Sequence, residues 1–144
     1  MKKQKLDSRD IAEIIIGSLV LGFPVAVTEE IWNLSQDLSL GRTLIISLAS
    51  LVFISVFVKT TYRHDLTYSS QKELAARVLT VYGLTLVVVA AVLFAIGKLP
   101  LVTETAVAVK RTILVAFPAS FAATVVDSLG DRTRFDAEDR REVK

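Results

Sequence analysis

The chain contains no cysteine, only one histidine and a single tryptophan among its 144 residues. Without cysteine it has no disulfide bond, no thiol nucleophile and no thiolate metal site. A lone histidine, His64, cannot supply the several imidazoles of a typical zinc site within one chain. The net charge is small too, because 17 Lys and Arg residues nearly balance 15 Asp and Glu residues. The basic residues are interleaved with acids, so nucleic-acid binding is not predicted.

Apolar residues, by contrast, make up 52% of the chain and are concentrated in four long stretches. Each stretch approaches the ~20 residues that a helix needs to cross a ~30 Å hydrocarbon layer. A soluble chain of this length cannot bury four such segments in one core. We therefore expect an all-α membrane protein with a single domain, residues 1–144. Its four transmembrane helices are predicted at about 11–30, 42–60, 76–97 and 111–129, with a charged tail over 131–144.

The distribution of basic residues predicts the orientation of these spans. Thirteen of the Lys and Arg residues lie in the N-terminal segment, the middle connection and the C-terminal tail, which share one side in a four-span topology. The other side has four, namely Arg42, Lys98, Lys110 and Arg111. Because Lys and Arg favour the cytoplasm, both termini should be cytoplasmic in a multi-pass protein of the cell membrane.

An acidic pair, Glu29 and Glu30, follows the first apolar stretch. Carboxylates at a membrane usually face water or a protein interior. A ring of them from several copies of the chain would suit Ca²⁺, Mg²⁺ or a monovalent cation at a pore mouth. Alternatively, both acids simply mark the solvated end of a helix. Pro24 and Pro118 lie inside the first and last predicted spans, where each removes a backbone hydrogen bond and should kink its helix.

Two polar stripes run along predicted spans. Thr43, Ser47 and Ser50 share a face of the second span, and Ser120, Thr124 and Asp127 share a face of the fourth. Such stripes either hydrate an ion path, with Asp127 as an inner site, or hold helices together by close packing and hydrogen bonds. The second-span stripe stops at Ile54, which favours packing there.

Glycine spacing also makes predictions. Gly83, Ala90 and Gly97 recur every seven residues in the third span, which is typical of a helix-packing face. The third helix should end near Gly97, and Gly130 should end the fourth helix.

The segment from Gly22 to Trp32 resembles the first-helix signature of an uncharacterised family of prokaryotic integral membrane proteins, Pro-x-x-x-Thr-x-Glu-x-Trp. On that match Pro24, Thr28, Glu30 and Trp32 take the signature positions. The fourth span is similar to the family's Leu-Pro-Ala-Ala segment over residues 116–120. The resemblance implies no activity, but it singles out Glu30 rather than Glu29 as the acid to test.

The pattern as a whole favours a small cation channel or transporter. One bundle of four helices is too small to enclose a hydrated pore easily, so we expect a homo-oligomer around a symmetry axis. Thr28, Glu29 and Glu30 would bind the cation, and no organic cofactor is implied. The alternative is a non-conducting membrane scaffold whose polar stripes only mediate helix packing. An enzyme is not predicted, because the spans contain no Ser/His pair, Asp dyad or metal triad.

Overall fold

The computed structural model describes residues 8–61, 71–100 and 104–142, and every regular element in these ranges is a helix. His64 lies outside the described residues. The chain order is α1 (Ser8–Ala26), α2 (Glu29–Asp37), α3 (Leu40–Thr61), α4 (Gln71–Ala95) and α5 (Thr105–Glu142). The all-α expectation is therefore confirmed over the described part of the chain.

Three helices are long and apolar enough to cross a membrane, and there are up to four spans if the bent pair α1 and α2 counts as one. The three span candidates are Leu40–Thr60, Leu74–Ala95 and Thr105–Gly130. Helix α1 differs from them because Arg9, Asp10 and Glu13 crowd its first turns. These charges need partners inside the bundle if α1 is to lie in the membrane.

The helix of the first predicted span breaks near its C-terminal end. The predicted span reaches residue 30, whereas α1 ends at Ala26 and the chain turns by 80° into α2. Pro24 lies in the last turn of α1, where carbonyl groups are left without helical partners. Two side chains bond carbonyls there: the Thr28 hydroxyl donates to Val25 O over 2.9 Å, and Trp32 Nε1 donates to Ala26 O over 2.9 Å.

Helix α5 lies at the centre of the fold and packs against all four other helices. It meets α1 in an antiparallel contact that only glycine permits. A Cβ on Gly17 would lie 2.6 Å from Ala123 Cα, and one on Gly22 would lie 3.1 Å from Ala119 Cβ. Small residues let membrane helices approach closely and gain dispersion contacts, which is the main attraction available between apolar helices in lipid.

The predicted packing face of the third span is wrong. A Cβ on Gly83 would meet nothing within 4 Å, and Gly97 lies beyond the end of α4. Gly97 instead ends the helix, as expected. Its φ of 68° is the left-handed conformation that glycine adopts freely. Its N–H bonds Phe94 O at 3.0 Å and the Lys98 N–H bonds Leu93 O at 2.8 Å, the two bonds of a Schellman motif.

The last helix is longer than its predicted span. Helix α5 continues through Pro118 and past Gly130 to Glu142, so the prediction that Gly130 ends it is wrong. Among the described glycines only Gly97 has a positive φ, which leaves Gly130 in an ordinary helical turn. Most of the tail predicted over 131–144 therefore has a helical backbone.

Candidate functional site

The two ends of the bundle carry different sets of buried charges. We call the end with the first residues of α1 and α4 the terminal end, and the end with α2 the α2 end. At the terminal end, Arg77 of α4 reaches Asp127 of α5 with a two-oxygen contact. Arg77 Nη2 lies 2.8 Å from Asp127 Oδ1 and 2.7 Å from Oδ2. Its Nη1 lies 3.8 Å from Oδ2 of Asp10 on α1.

All three of these side chains are at least 95% buried, at 5% exposure for Arg77, 3% for Asp10 and 1% for Asp127. Isolated charges are strongly disfavoured at such sites, and only close ionic partners offset part of their desolvation. Arg77 therefore ties α1, α4 and α5 together at the terminal end. We call these three residues, with Glu13, the terminal-end cluster.

Glu13 extends this cluster along α1. One of its carboxylate oxygens accepts a hydrogen bond from Arg9 Nε at 2.8 Å, and the other, Oε2, is buried and has no hydrogen-bond partner among the described residues. The carboxylate fills the space where a side chain at position 130 would begin, so it contacts Gly130 directly. Gly130, which the sequence predicts to end the fourth helix, instead leaves space for the Glu13 carboxylate of the first helix.

The terminal-end cluster concentrates acidic side chains of two helices around Arg77. Asp10 and Asp127 are almost fully buried there, and the Glu13 side chain is 14% exposed beside Arg9, which is 58% exposed. Carboxylates at such a depth in a membrane protein are costly and commonly mark a functional site.

At the α2 end, two neighbouring basic residues of α5 bond backbone carbonyls. Lys110 Nζ donates to Leu38 O at 2.9 Å and to Gln36 O at 3.3 Å. These carbonyls belong to the last turn of α2 and the residue after it, where helices leave acceptors unbonded and carry partial negative charge. Lys110 is 9% exposed.

Arg111 bonds a second group of acceptors beside them. Its Nη1 donates to Lys98 O at 2.6 Å, its Nε to Ser35 Oγ at 3.1 Å, and its Nη2 to Trp32 O at 3.5 Å. The ammonium of Lys98 lies 3.9 Å from the centre of the Trp32 ring, a cation–π distance. Lys98, Lys110 and Arg111 thus contact α2, and they are three of the four basic residues that the four-span topology places on this side of the membrane.

The predicted hydroxyl stripes lie inside the bundle. Ser47 Oγ is 2.8 Å from Tyr82 OH, which joins α3 to α4, and Ser18 Oγ is 3.0 Å from Thr85 Oγ1, which joins α1 to α4. The other hydroxyls of the stripes bond carbonyls three or four residues earlier in the chain: Thr43 to Ser39, Ser50 to Ile46, Ser120 to Phe117, and Thr124 to Ser120. Of the second-span stripe, Ser47 bonds another helix, whereas Thr43 and Ser50 bond their own segment.

The predicted acidic mouth lies elsewhere. Glu29 and Glu30 form the first turn of α2, and both are exposed. Thr28 precedes them in an extended conformation. The acids thus sit at the opposite end of the bundle from Asp127, and no third His, Cys, Asp or Glu joins them at metal-binding distance within the described residues. A cation at this pair would take its remaining ligands from water or from another copy of the chain.

Two grooves of the described structure are apolar. One, of about 410 Å³, lies between α2, α3 and α5, and its lining residues are Ile31, Leu34, Ile46, Ala49, Leu114, Phe117 and Pro118. The other lies along α3. Neither offers a polar path through a single bundle.

Sequence reasoning found Asp127 but not its partner. Arg77 was sorted with the basic residues of a connecting segment, whereas it lies well inside α4. Its signal was present: an arginine stands directly before a long apolar run, and Asp10 and Asp127 lie on the same side of the membrane as it does in the four-span topology. Tyr82 and Thr85 were likewise polar residues whose partners, Ser47 and Ser18, lie far away in the sequence.

The apolar helices, the lipid-facing apolar side chains and the paired interior charges define a multi-helix integral membrane protein. A sequence model for the family described as "Putative integral membrane protein (DUF2391)" matches residues 2–126, and the chain belongs to that family. This confirms the expected kind of family, while the Pro-to-Trp signature stays a prediction. Neither the curated proteins nor the solved structures include a significant match.

Proposed function

We propose that the protein is a small cation-transport protein of the cell membrane that works as a homo-oligomer with both termini in the cytoplasm. The observation that carries this proposal is the burial of two carboxylates, those of Asp10 and Asp127, around Arg77 in the terminal-end cluster. Buried acids are expensive at membrane depth, and they commonly mark ion or proton pathways. The basic-residue distribution supports the orientation, which makes the terminal end the inner end.

In this proposal the acids act at opposite sides of the membrane. Glu30, with Glu29 and Thr28, attracts the cation at the α2 end, because exposed carboxylates from several copies would form a ring around the symmetry axis. Asp127, beside Ser120 and Thr124, is the inner acid. The bundle interior is filled by packed side chains, so the path runs between copies or requires Arg77 to release its acids.

Cation flux into proteoliposomes tests the proposal. We expect the wild-type protein to conduct a mono- or divalent cation, and we expect Glu29→Gln/Glu30→Gln to reduce the flux by about tenfold or more through loss of the attracting charge. Asp37→Asn is the matched control, because Asp37 is an exposed acid at the other end of α2. Asp127→Asn tests the inner site with the same assay.

Equal flux in wild type and in the double glutamine variant, at matched incorporation, would remove Glu29 and Glu30 from the mechanism. No flux for any common cation in wild-type vesicles would reject cation transport altogether. Loss of flux in Asp37→Asn to the same degree would point to a general surface-charge effect instead of a site.

A membrane scaffold is the second candidate, and a specific observation favours it. The interhelical hydroxyl pairs Ser47–Tyr82 and Ser18–Thr85 connect helices, as packing contacts do. If the protein only organises partners, the acids should tolerate change while enlarging Gly22 or Ser50 to Leu should break assembly. Native mass spectra that keep the same oligomer in both Leu variants would reject the scaffold.

A further inference from the structure

Helix α2 is held to the bundle mainly by polar contacts. Of its nine residues only Ser35 is buried, and Ile31 is the apolar side chain that packs against the main core. The helix is amphipathic and short, and it turns by 80° from α1. An amphipathic helix so oriented suits the membrane interface, where its polar side meets water.

The polar contacts come from two cations on a different helix. Within the described residues Lys110 and Arg111 make four hydrogen bonds to the segment 32–38, and three of the acceptors are backbone carbonyls. The fourth acceptor is Ser35 Oγ, which in turn donates to Trp32 O at 2.7 Å. These are charge-assisted bonds, stronger than neutral ones.

Short non-helical connections flank α2 on both sides. Val27 and Thr28 separate it from α1, and Leu38 and Ser39 separate it from α3. Thr28 and Leu38 both have extended backbones, with ψ of 140° and 135°. Hinges of protein segments are commonly a few residues at the ends of elements, which absorb changes in φ and ψ.

Helix α2 also forms one wall of the groove of about 410 Å³, through Ile31 and Leu34. The other walls belong to α3 and α5. We propose that α2 is a hinged flap at the membrane interface, latched against α5 by Arg111 and Lys110, and that its release widens this groove. The proposal does not depend on cation transport.

The chemistry of the latch suits reversible opening. The latch bonds run from cations to neutral carbonyls and one hydroxyl, and none is an ion pair with a carboxylate of α2. When the flap leaves, water at the interface can solvate both the two cations and the carbonyls. A buried ion pair broken in hydrocarbon would have no such substitute. We therefore expect the terminal-end cluster to hold its helices together more firmly than Lys110 and Arg111 hold α2.

Trp32 provides a direct test because it is the single tryptophan of the chain. In nanodiscs we expect Arg111→Gln to increase acrylamide quenching of Trp32 fluorescence. Amide exchange over residues 31–37 should accelerate by about tenfold or more, since a hydrogen bond to a charged group contributes about 1.5–3 kcal/mol and 1.4 kcal/mol is tenfold. Lys110→Gln should act in the same direction.

Arg42→Gln is the matched control, because Arg42 lies at the same end and its side chain is exposed. Unchanged quenching and exchange in a folded Arg111→Gln variant would overturn the proposal. So would acceleration of equal size in α1, α3 and α4, which would indicate general loosening. Ser35→Ala keeps both cations and removes one acceptor. If Arg111→Gln does not fold, a Ser35→Ala variant with wild-type quenching and exchange would overturn the proposal as well.

Discussion

Arg77 joins three helices through one guanidinium, and this makes it the residue whose loss the bundle should tolerate least. It contacts Asp127 on α5 at 2.7 Å and lies 3.8 Å from Asp10 on α1. Replacing it by an apolar side chain would leave both carboxylates buried next to each other. The repulsion between them would add to the desolvation that Arg77 now offsets.

We therefore expect Arg77→Met to lower the free energy of unfolding by about 3–5 kcal/mol, the usual result of removing one partner of a buried ion pair. Thermal unfolding in detergent, followed by circular dichroism, measures the loss. Arg42→Met is the control, because Arg42 is exposed. A second variant, Arg77→Met with Asp127→Leu, should recover part of the stability. An Arg77→Met protein as stable as Arg42→Met would contradict the assigned role.

Sequence reasoning at the level of single residues succeeded where the chemistry is local. The end of α4 at Gly97 was predicted, since a glycine C-cap depends on its own backbone conformation. It failed where the partner is distant in sequence. The position of Arg77 before an apolar run indicates a charge at the end of a span but does not identify Asp127 as its partner, and nothing next to Gly130 indicates that Glu13 lies against it.

At the scale of helices, the contact between α1 and α5 decides how the bundle packs. Gly17 lies so close to α5 that a Cβ would meet the backbone of Ala122 and Ala123 at 2.6–3.0 Å. Backbone atoms of a long helix cannot rotate aside as a side chain does. The two helices would have to separate, which would also strain the nearby terminal-end cluster.

Gly17→Ala should therefore destabilise the protein by about 1–3 kcal/mol, as overpacking of a tight contact does. Gly83→Ala is the matched control, a glycine in the middle of α4 with open space around it. It should be neutral or slightly stabilising because alanine favours helix. Thermal unfolding of the two single variants in the same detergent compares them. A Gly17→Ala protein as stable as Gly83→Ala would mean that the close approach of α1 and α5 does not depend on this glycine.

The helices themselves were largely predictable, but their ends were less so. Apolar runs of sufficient length located the cores of α3, α4 and α5. The break between α1 and α2 was missed, since the apolar pattern continues from Val25 to Val27 and helical periodicity alone does not report a change of direction. Pro24 gave the one signal, because α1 ends two residues after it and the chain then changes direction.

At the scale of the whole molecule, α5 is the organising element and comes last along the chain. It contacts each of the other helices, and its membrane segment is the most buried of the three independent span candidates, at 56% against 33% and 22%. Helix α3, the least buried, exposes large apolar side chains to lipid, among them Leu44, Ile45, Leu48 and Val52. The sequence predicts that these helices are membrane-spanning. It does not predict which is central, because all the apolar runs look alike.

The charged start of α1 has a consequence for how the chain is made. Asp10 faces Arg77 on α4 and Glu13 lies against Gly130 on α5, so during synthesis α1 emerges long before the residues that enclose its acids. It is also the helix that does not qualify as a span by itself.

We expect a chain truncated after residue 104 to leave α1 extractable from membranes by alkaline carbonate and open to proteases. The same truncation carrying Asp10→Leu and Glu13→Leu should stay embedded. Equal extraction of the two truncated chains would show that α1 inserts unaided. Otherwise insertion of the first helix waits for the last, and quality control has a built-in marker for incomplete chains: an acidic helix that has not yet been enclosed.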